Sequence, residues 1–192
     1  MSDNYRYWYG ISDILPPKLS TLQFTGPITI RDRLNVIEWP ANLITIKCVL
    51  FSKCDCADLD ILPNSVTHLY LLGKYNEADM GSIPDHITHL YIEESVYNLH
   101  LETHPNLTHL VLSYSFNSEI RLPTSIVDLE ILNRRHKLEI DFSKLPNLKC
   151  LATPFKVSDE VVDRLEFLCY QECLYIKDPY PGRQAWFESE FM

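Results

Sequence analysis

Apolar residues in this chain return in a fixed phrase. Pro63-Asn-Ser-Val-Thr-His-Leu-Tyr-Leu71 recurs as Pro84-Asp-His-Ile-Thr-His-Leu-Tyr-Ile92 and, one residue shorter, as Pro105-Asn-Leu-Thr-His-Leu-Val-Leu112. Weaker copies begin at Pro16, Pro40, Pro123 and Pro146. The central anchors are Leu22, Ile46, Leu69, Leu90, Leu110, Leu129 and Leu151, spaced by 24, 23, 21, 20, 19 and 22 residues. A period near 20 residues marks a chain of stacked supersecondary units. Within each unit the pattern apolar-x-x-Leu-x-Leu predicts a short strand whose alternate positions face an interior. A second alternation follows in several units, at Ile28/Ile30, Leu59/Ile61, Leu99/Leu101 and Leu138/Ile140. Period-2 spacing there predicts an extended return, and so short a unit leaves little room for a helix. Proline, with fixed φ and no N–H, suits the corner just before each strand.

The strand phrase resembles the leucine-rich-repeat core, although the asparagine of each unit falls two or three positions late. Leu62-Pro-Asn-Ser-Val-Thr-His-Leu69 and Phe116-Asn-Ser-Glu-Ile-Arg-Leu-Pro-Thr-Ser-Ile126 are similar to the FNIP repeat, a leucine-rich-repeat-like family. Tyr75-Asn76 and Tyr97-Asn98 repeat the aromatic-Asn pair of Phe116-Asn117. The aromatic is expected to fill the turn and the amide to satisfy backbone groups there. The predicted fold is a β-rich, leucine-rich-repeat-like solenoid of about seven repeats of 19–24 residues over 14–155. Its right-handedness is implied by the resemblance. The family occurs in social amoebae and in giant viruses of amoebae, which implies a similar origin. Family members often carry an N-terminal F-box; with 13 residues before the first unit, a direct ligase-adaptor role is not expected.

Two flanking segments are expected to close the solenoid, because open ends expose an apolar interior. Residues 1–13 carry Tyr5, Tyr7, Trp8 and Tyr9 and form the N-terminal candidate. Residues 156–192 break the period. Ser158 to Tyr170 predicts a C-terminal capping helix with Ser158 as N-cap, Asp159 and Glu160 in the first turn and a Glu160–Arg164 pair. The aromatic tail with Trp186, Phe187 and Phe191 would complete the cap or, alternatively, dock on a partner or a second copy.

Composition narrows the function. The 192 residues carry 17 Lys+Arg against 26 Asp+Glu, a net charge of −9, which disfavours nucleic acid and anionic membrane surfaces. Twelve prolines against five glycines leave little for a phosphate-cradling loop. No apolar run is long enough to cross a membrane as a helix, and the N-terminus lacks a signal-peptide core. Six cysteines at Cys48, Cys54, Cys56, Cys150, Cys169 and Cys173 match no zinc or disulfide spacing, which favours a reducing, cytoplasmic setting. The basic turn Arg134–Lys137 reads as a solvated loop.

If the leucines of Leu-x-Leu point inward, the residues between them line the concave face. The rows are Thr21/Gln23, Thr45/Lys47, His68/Tyr70, His89/Tyr91, His109/Val111, Asp128/Glu130 and Cys150/Ala152. The expected protein-binding residues are Lys47, His68, Tyr70, His89, Tyr91, Glu93, His109, Asp128 and Glu130, a strip rich in the tyrosine that interfaces favour. Zinc at His68, His89 and His109 is the weaker alternative, since a ladder in one plane separates the ligands too far for tetrahedral ligation. His109, Asp128 and Cys150 stand in the wrong order for a thiol–imidazole pair, with the acid between the other two. No catalytic, cofactor or metal residue is therefore expected. The reading is a non-enzymatic module for a protein ligand, with a host protein in view. An assembly component of a virion, using the edges and tail, is the alternative.

Overall fold

The computed structural model describes residues 5–7, 15–25, 39–50, 59, 62–75, 83–95, 99–116, 119–133 and 139–170. The strands are β1 (Tyr5–Tyr7), β2 (Thr21–Thr25), β3 (Thr45–Leu50), β4 (His68–Tyr75), β5 (His89–Ser95), β6 (Leu99–His100), β7 (His109–Leu112), β8 (Ile120–Arg121), β9 (Asp128–Ile131), β10 (Cys150–Thr153) and β11 (Phe167–Tyr170). Nine of them form one parallel sheet in the order β1-β2-β3-β4-β5-β7-β9-β10-β11, and β6 pairs with β8 in a small second sheet. Neighbours in sequence are neighbours in the main sheet, and every pair is parallel. The chain must therefore return to the same end of the sheet after each strand, which makes a parallel β-solenoid.

Each corner has one construction. The amides of Leu19, Leu43, Val66 and Ile87 donate to the carbonyls of Pro16, Pro40, Pro63 and Pro84 at 2.9–3.1 Å. Proline stands where the turn needs an acceptor and no donor. In the two phrases that are one residue shorter, the acceptor moves to the residue before the proline: Leu107 donates to His104 and Leu148 to Leu145. Between coils, two successive amides share one carbonyl. Thr67 and His68 donate to Ile44, Thr88 and His89 to Thr67, and Thr108 and His109 to Thr88. This bridge enforces the register: Leu22, Ile46, Leu69, Leu90, Leu110, Leu129 and Leu151 are successive Cα partners.

One apolar core runs the length of the stack. The seven anchors are all fully buried or within 1% of it. Leu99 and Leu101 close the core from the return side, where β6 and β8 supply the extended alternation expected of it. In the following coil a 3-10 turn at Phe142–Lys144 takes that place, capped by Asp141 Oδ1, which accepts from the Ser143 amide. Phe116 is completely buried, filling its turn as an aromatic at that position should. The amide of Asn133, also buried, donates to the Phe116 carbonyl. It satisfies a backbone group that the bend would strand.

The C-terminal segment differs from expectation. Within 158–170 only Asp159–Val162 is helical (α1), and Ser158 makes no side-chain cap bond. Phe167–Tyr170 then forms β11, with Leu168 beside Leu151, and the amides of Glu166 and Phe167 share the Lys149 carbonyl as the amides entering β4, β5 and β7 share theirs. Arg164, expected to pair with Glu160, donates Nη2 to the Phe142 carbonyl. The reason is edge chemistry. Strand β10 would otherwise leave a row of backbone groups unpaired, and Phe-Leu-Cys-Tyr favours a strand over a helix. At the other end Tyr5–Tyr7 pairs with β2, so the sheet reaches into both flanking segments. The tail aromatics, residues 134–137, Cys54 and Cys56 lie outside the described residues.

Candidate functional site

Because the leucines of Leu-x-Leu enter the core, the residues between them share the opposite face of the sheet. The register aligns Thr45, His68, His89, His109, Asp128 and Cys150 in one row. It aligns Lys47, Tyr70, Tyr91, Val111 and Glu130 in the next. Strand spacing puts neighbouring side chains in van der Waals reach, and planar rings use it by stacking. The His68 and His89 ring centroids are 4.0 Å apart with planes 15° from parallel; His89 and His109 are 4.0 Å apart at 8°. Tyr70 and Tyr91 stack at 5.8 Å, and the Lys47 ammonium lies 5.2 Å from the Tyr70 ring centroid, within cation–π range.

Threonine sets the ring orientation. Oγ1 of Thr67, Thr88 and Thr108 each lies 2.8 Å from Nδ1 of the following histidine. Thr88 and Thr108 also donate their hydroxyls to the carbonyls of Thr67 and Thr88, at 3.3 and 3.2 Å. Two rungs of the ladder resist protonation. Burial, then His109 and His68, hold the His89 pKa down to about 3, and burial with His109 lowers that of His68. Burial raises the Tyr91 phenol above its ordinary value; a hydrogen bond with Ser113 pulls the other way, and Glu93, Tyr114 and Glu130 add to the rise.

Glu93 sits at the end of this strip. A bulge in β4 between Leu71 and Lys74 carries Gly73 at φ 98°, a left-handed conformation that glycine adopts without a Cβ clash. The bulge aims the Gly73 amide at Glu93 Oε2, 2.6 Å away. Nearby Ser113, buried, donates Oγ to the Glu93 carbonyl at 2.8 Å, and Tyr114 is 59% exposed. Ser113 and Tyr114 were not singled out from sequence; their position one strand along from Glu93 was the available signal. Tyr70, by contrast, is only 7% exposed.

The arrangement bears on the chemistry considered above. Imidazole lone pairs lie in the ring plane, so stacked rings aim them side by side and cannot converge on one metal ion. Among the described residues no group of three His, Cys, Asp or Glu side chains is arranged to hold a metal. Asp128 lies between His109 and Cys150 in the row, as the sequence order implied. Away from this face, Lys149 and Glu166 form an ion pair at 2.8 Å beside an open cleft of about 430 Å³ that Asn147 and Arg164 also line. No helix among the described residues is long and apolar enough to cross a membrane.

Parallel strands stacked one per repeat, with a ladder-bearing face, define a parallel β-solenoid repeat protein. The model of the FNIP Repeat family matches residues 58–102, the stretch that carries the clearest phrases. No curated protein matches it. Among solved structures it is similar to CroV588, described as having a novel circular LRR protein structure, at 19% identity and a TM-score of 0.49. That match covers 80% of this chain and 27% of the other, so the chain spans about a quarter of that protein's length.

Proposed function

We propose that this parallel β-solenoid is a non-enzymatic module that binds a protein ligand on its sheet face, through Lys47, His68, Tyr70, His89, Tyr91, Glu93, His109, Asp128 and Glu130. One observation carries the reading: imidazole and phenol rings stand in register on consecutive strands, on the face opposite the core. Repeat solenoids use such extended faces for protein partners, and aromatic side chains supply contact area with little entropy to lose. The family's distribution supports a host protein as the ligand and the host cytoplasm as the place of action.

Affinity capture from an amoebal lysate tests it. The intact protein is expected to retain a protein that the Tyr91→Ala and His89→Ala variants lose, while both variants keep the circular dichroism of the parent. Retention of the same proteins by both variants overturns the reading. It would favour assembly through the edges and tail, which deletion of 184–192 addresses.

A further inference from the structure

One polar row staples the corners of successive coils together. Asn106 Nδ2 donates to the Asp85 carbonyl and Asn147 Nδ2 to the Thr124 carbonyl, each at 2.9 Å, and Ser125 Oγ donates to the Leu107 carbonyl at 2.6 Å. Each of these three stands two places before an amide that bonds the preceding coil, at Thr108, Lys149 and Val127 respectively. The Glu166 amide bonds the Lys149 carbonyl in the same way, so Arg164 holds this position in the last coil. Its side chain breaks the pattern. Nη2 donates to the Phe142 carbonyl, not back to Pro146, the residue that aligns with Asp85 and Thr124. The last corner therefore lacks the staple, and the open cleft of about 430 Å³ lies there. Small-ligand sites occupy about 300–1,000 Å³.

The walls of the cleft carry complementary groups. Lys149 and Arg164 bring two cations and Glu166 one carboxylate, which leaves one positive charge in excess. The Lys149–Glu166 pair at 2.8 Å and the bond to Phe142 set these groups in place before a ligand arrives. Arg164 Nε is buried without a hydrogen-bond partner, so the fold satisfies this guanidinium only in part. Val127, Pro146 and Leu148 supply apolar surface, and the Pro146 carbonyl stands where the two earlier corners accept an amide N–H. We infer that this cleft binds a small ligand combining one carboxylate, an amide N–H and an apolar side chain, the chemistry of a peptide's C-terminal residue. The carboxylate faces the Arg164 guanidinium, whose planar fork suits it, and balances the excess charge. A phosphate dianion would overbalance that charge beside Glu166. The N–H donates to Pro146, and the side chain covers Val127 and Leu148. The cleft lies apart from the sheet face, so this inference does not rest on the binding role proposed there.

Titration of the ¹⁵N-labelled full chain, read at the backbone amide signals of Lys149 and Glu166, tests this. The probe is the dipeptide acid Ac-Ala-Leu-OH, compared with Ac-Ala-Leu-NH2, hexanoate and hexyl phosphate. The acid is expected to shift both signals saturably and to bind about tenfold more tightly than the amide, which lacks the charged contact. Arg164→Gln should weaken the acid by about tenfold as well. Because Arg164 also bonds Phe142, Lys149→Gln is the second variant; it leaves that bond in place and should weaken binding about threefold. Circular dichroism matching the parent qualifies each variant, and if Arg164→Gln fails to fold, Lys149→Gln decides. Equal affinity for acid and amide, no saturable shift with the acid, or full affinity in the folded variants overturns the inference. Hexanoate binding as tightly as the peptide acid overturns the role of the amide N–H and assigns the cleft to free organic acids. Tighter binding of hexyl phosphate overturns the charge balance.

Discussion

Acidification from pH 7 to 5 is expected to destabilise the fold through His89. The groups that share its face are His68 and Tyr70 on β4, Tyr91 and Glu93 on its own strand, and His109 on β7. Lys47 on β3 and Asp128 and Glu130 on β9 stand beyond them. Burial first, then the two flanking imidazoles, lower the folded pKa to about 3, whereas the unfolded chain titrates near 6.5. Between these values the unfolded chain binds a proton that the folded protein does not. The contribution is therefore complete above about 6.5, falls as pH drops through that value and is lost by about 3. At pH 5 the gap from 6.5 is 1.5 units, about 2 kcal/mol. The ring is only half-buried, so solvent screening reduces this to about 1 kcal/mol.

Thermal melts of the parent and of His89→Gln at pH 7 and pH 5 measure the effect as a difference of differences. Background titration of the carboxylates and the other histidines is common to both proteins and cancels. One kcal/mol in a chain of this size corresponds to about 2–4 °C. The parent is expected to lose that much more Tm on acidification than the variant. Equal losses, or a larger loss in the variant, would refute the argument that the stack excludes the proton.

Other expectations follow from packing and pairing. Phe116→Ala removes a fully buried ring and should cost about 3–5 kcal/mol in denaturant titration. Asn133→Leu strands the Phe116 carbonyl and should cost about 1–3 kcal/mol by the same assay. Glu166→Gln breaks an ion pair whose side chains are 55% and 58% exposed; the loss should stay below about 1 kcal/mol and vanish in high salt. Hydrogen exchange should find the Phe167 amide protected by the Lys149 carbonyl, 3.1 Å away, whereas a helix through Tyr170 would protect a continuous run of amides from about residue 162.

The repeat was legible because its period is a covalent fact: each Pro-x-x-apolar-Thr-His-Leu phrase spells a corner, a shared carbonyl and a core anchor in order. Seven anchors located by spacing alone are partners in the sheet. The last strand was not legible, for a physical reason. Val161, Leu165 and Leu168 satisfy a helical face, yet Leu168 also satisfies the strand phrase as an anchor beside Leu151. Local pattern cannot rank these, because the deciding quantity is the open edge of β10, which exists only after the preceding coils have folded. Likewise the burial of Tyr70 depends on its neighbours across the sheet rather than on its own sequence context.

The Thr–His dipeptide connects the two levels. Repetition by itself argues that the pair is part of the coil, and the structure bears this out, since the threonine amide and hydroxyl both reach the carbonyl of the preceding coil. The same hydroxyls lie 2.8 Å from Nδ1 of His89 and His109, so one threonine ties the coil to its neighbour and orients the ring beside it. Replacing Thr88 and Thr108 by valine keeps the β-branched shape and removes the hydroxyls. The strands, held by backbone bonds, should remain in register by circular dichroism, while both imidazoles lose the contact at Nδ1 and their ring NMR signals shift.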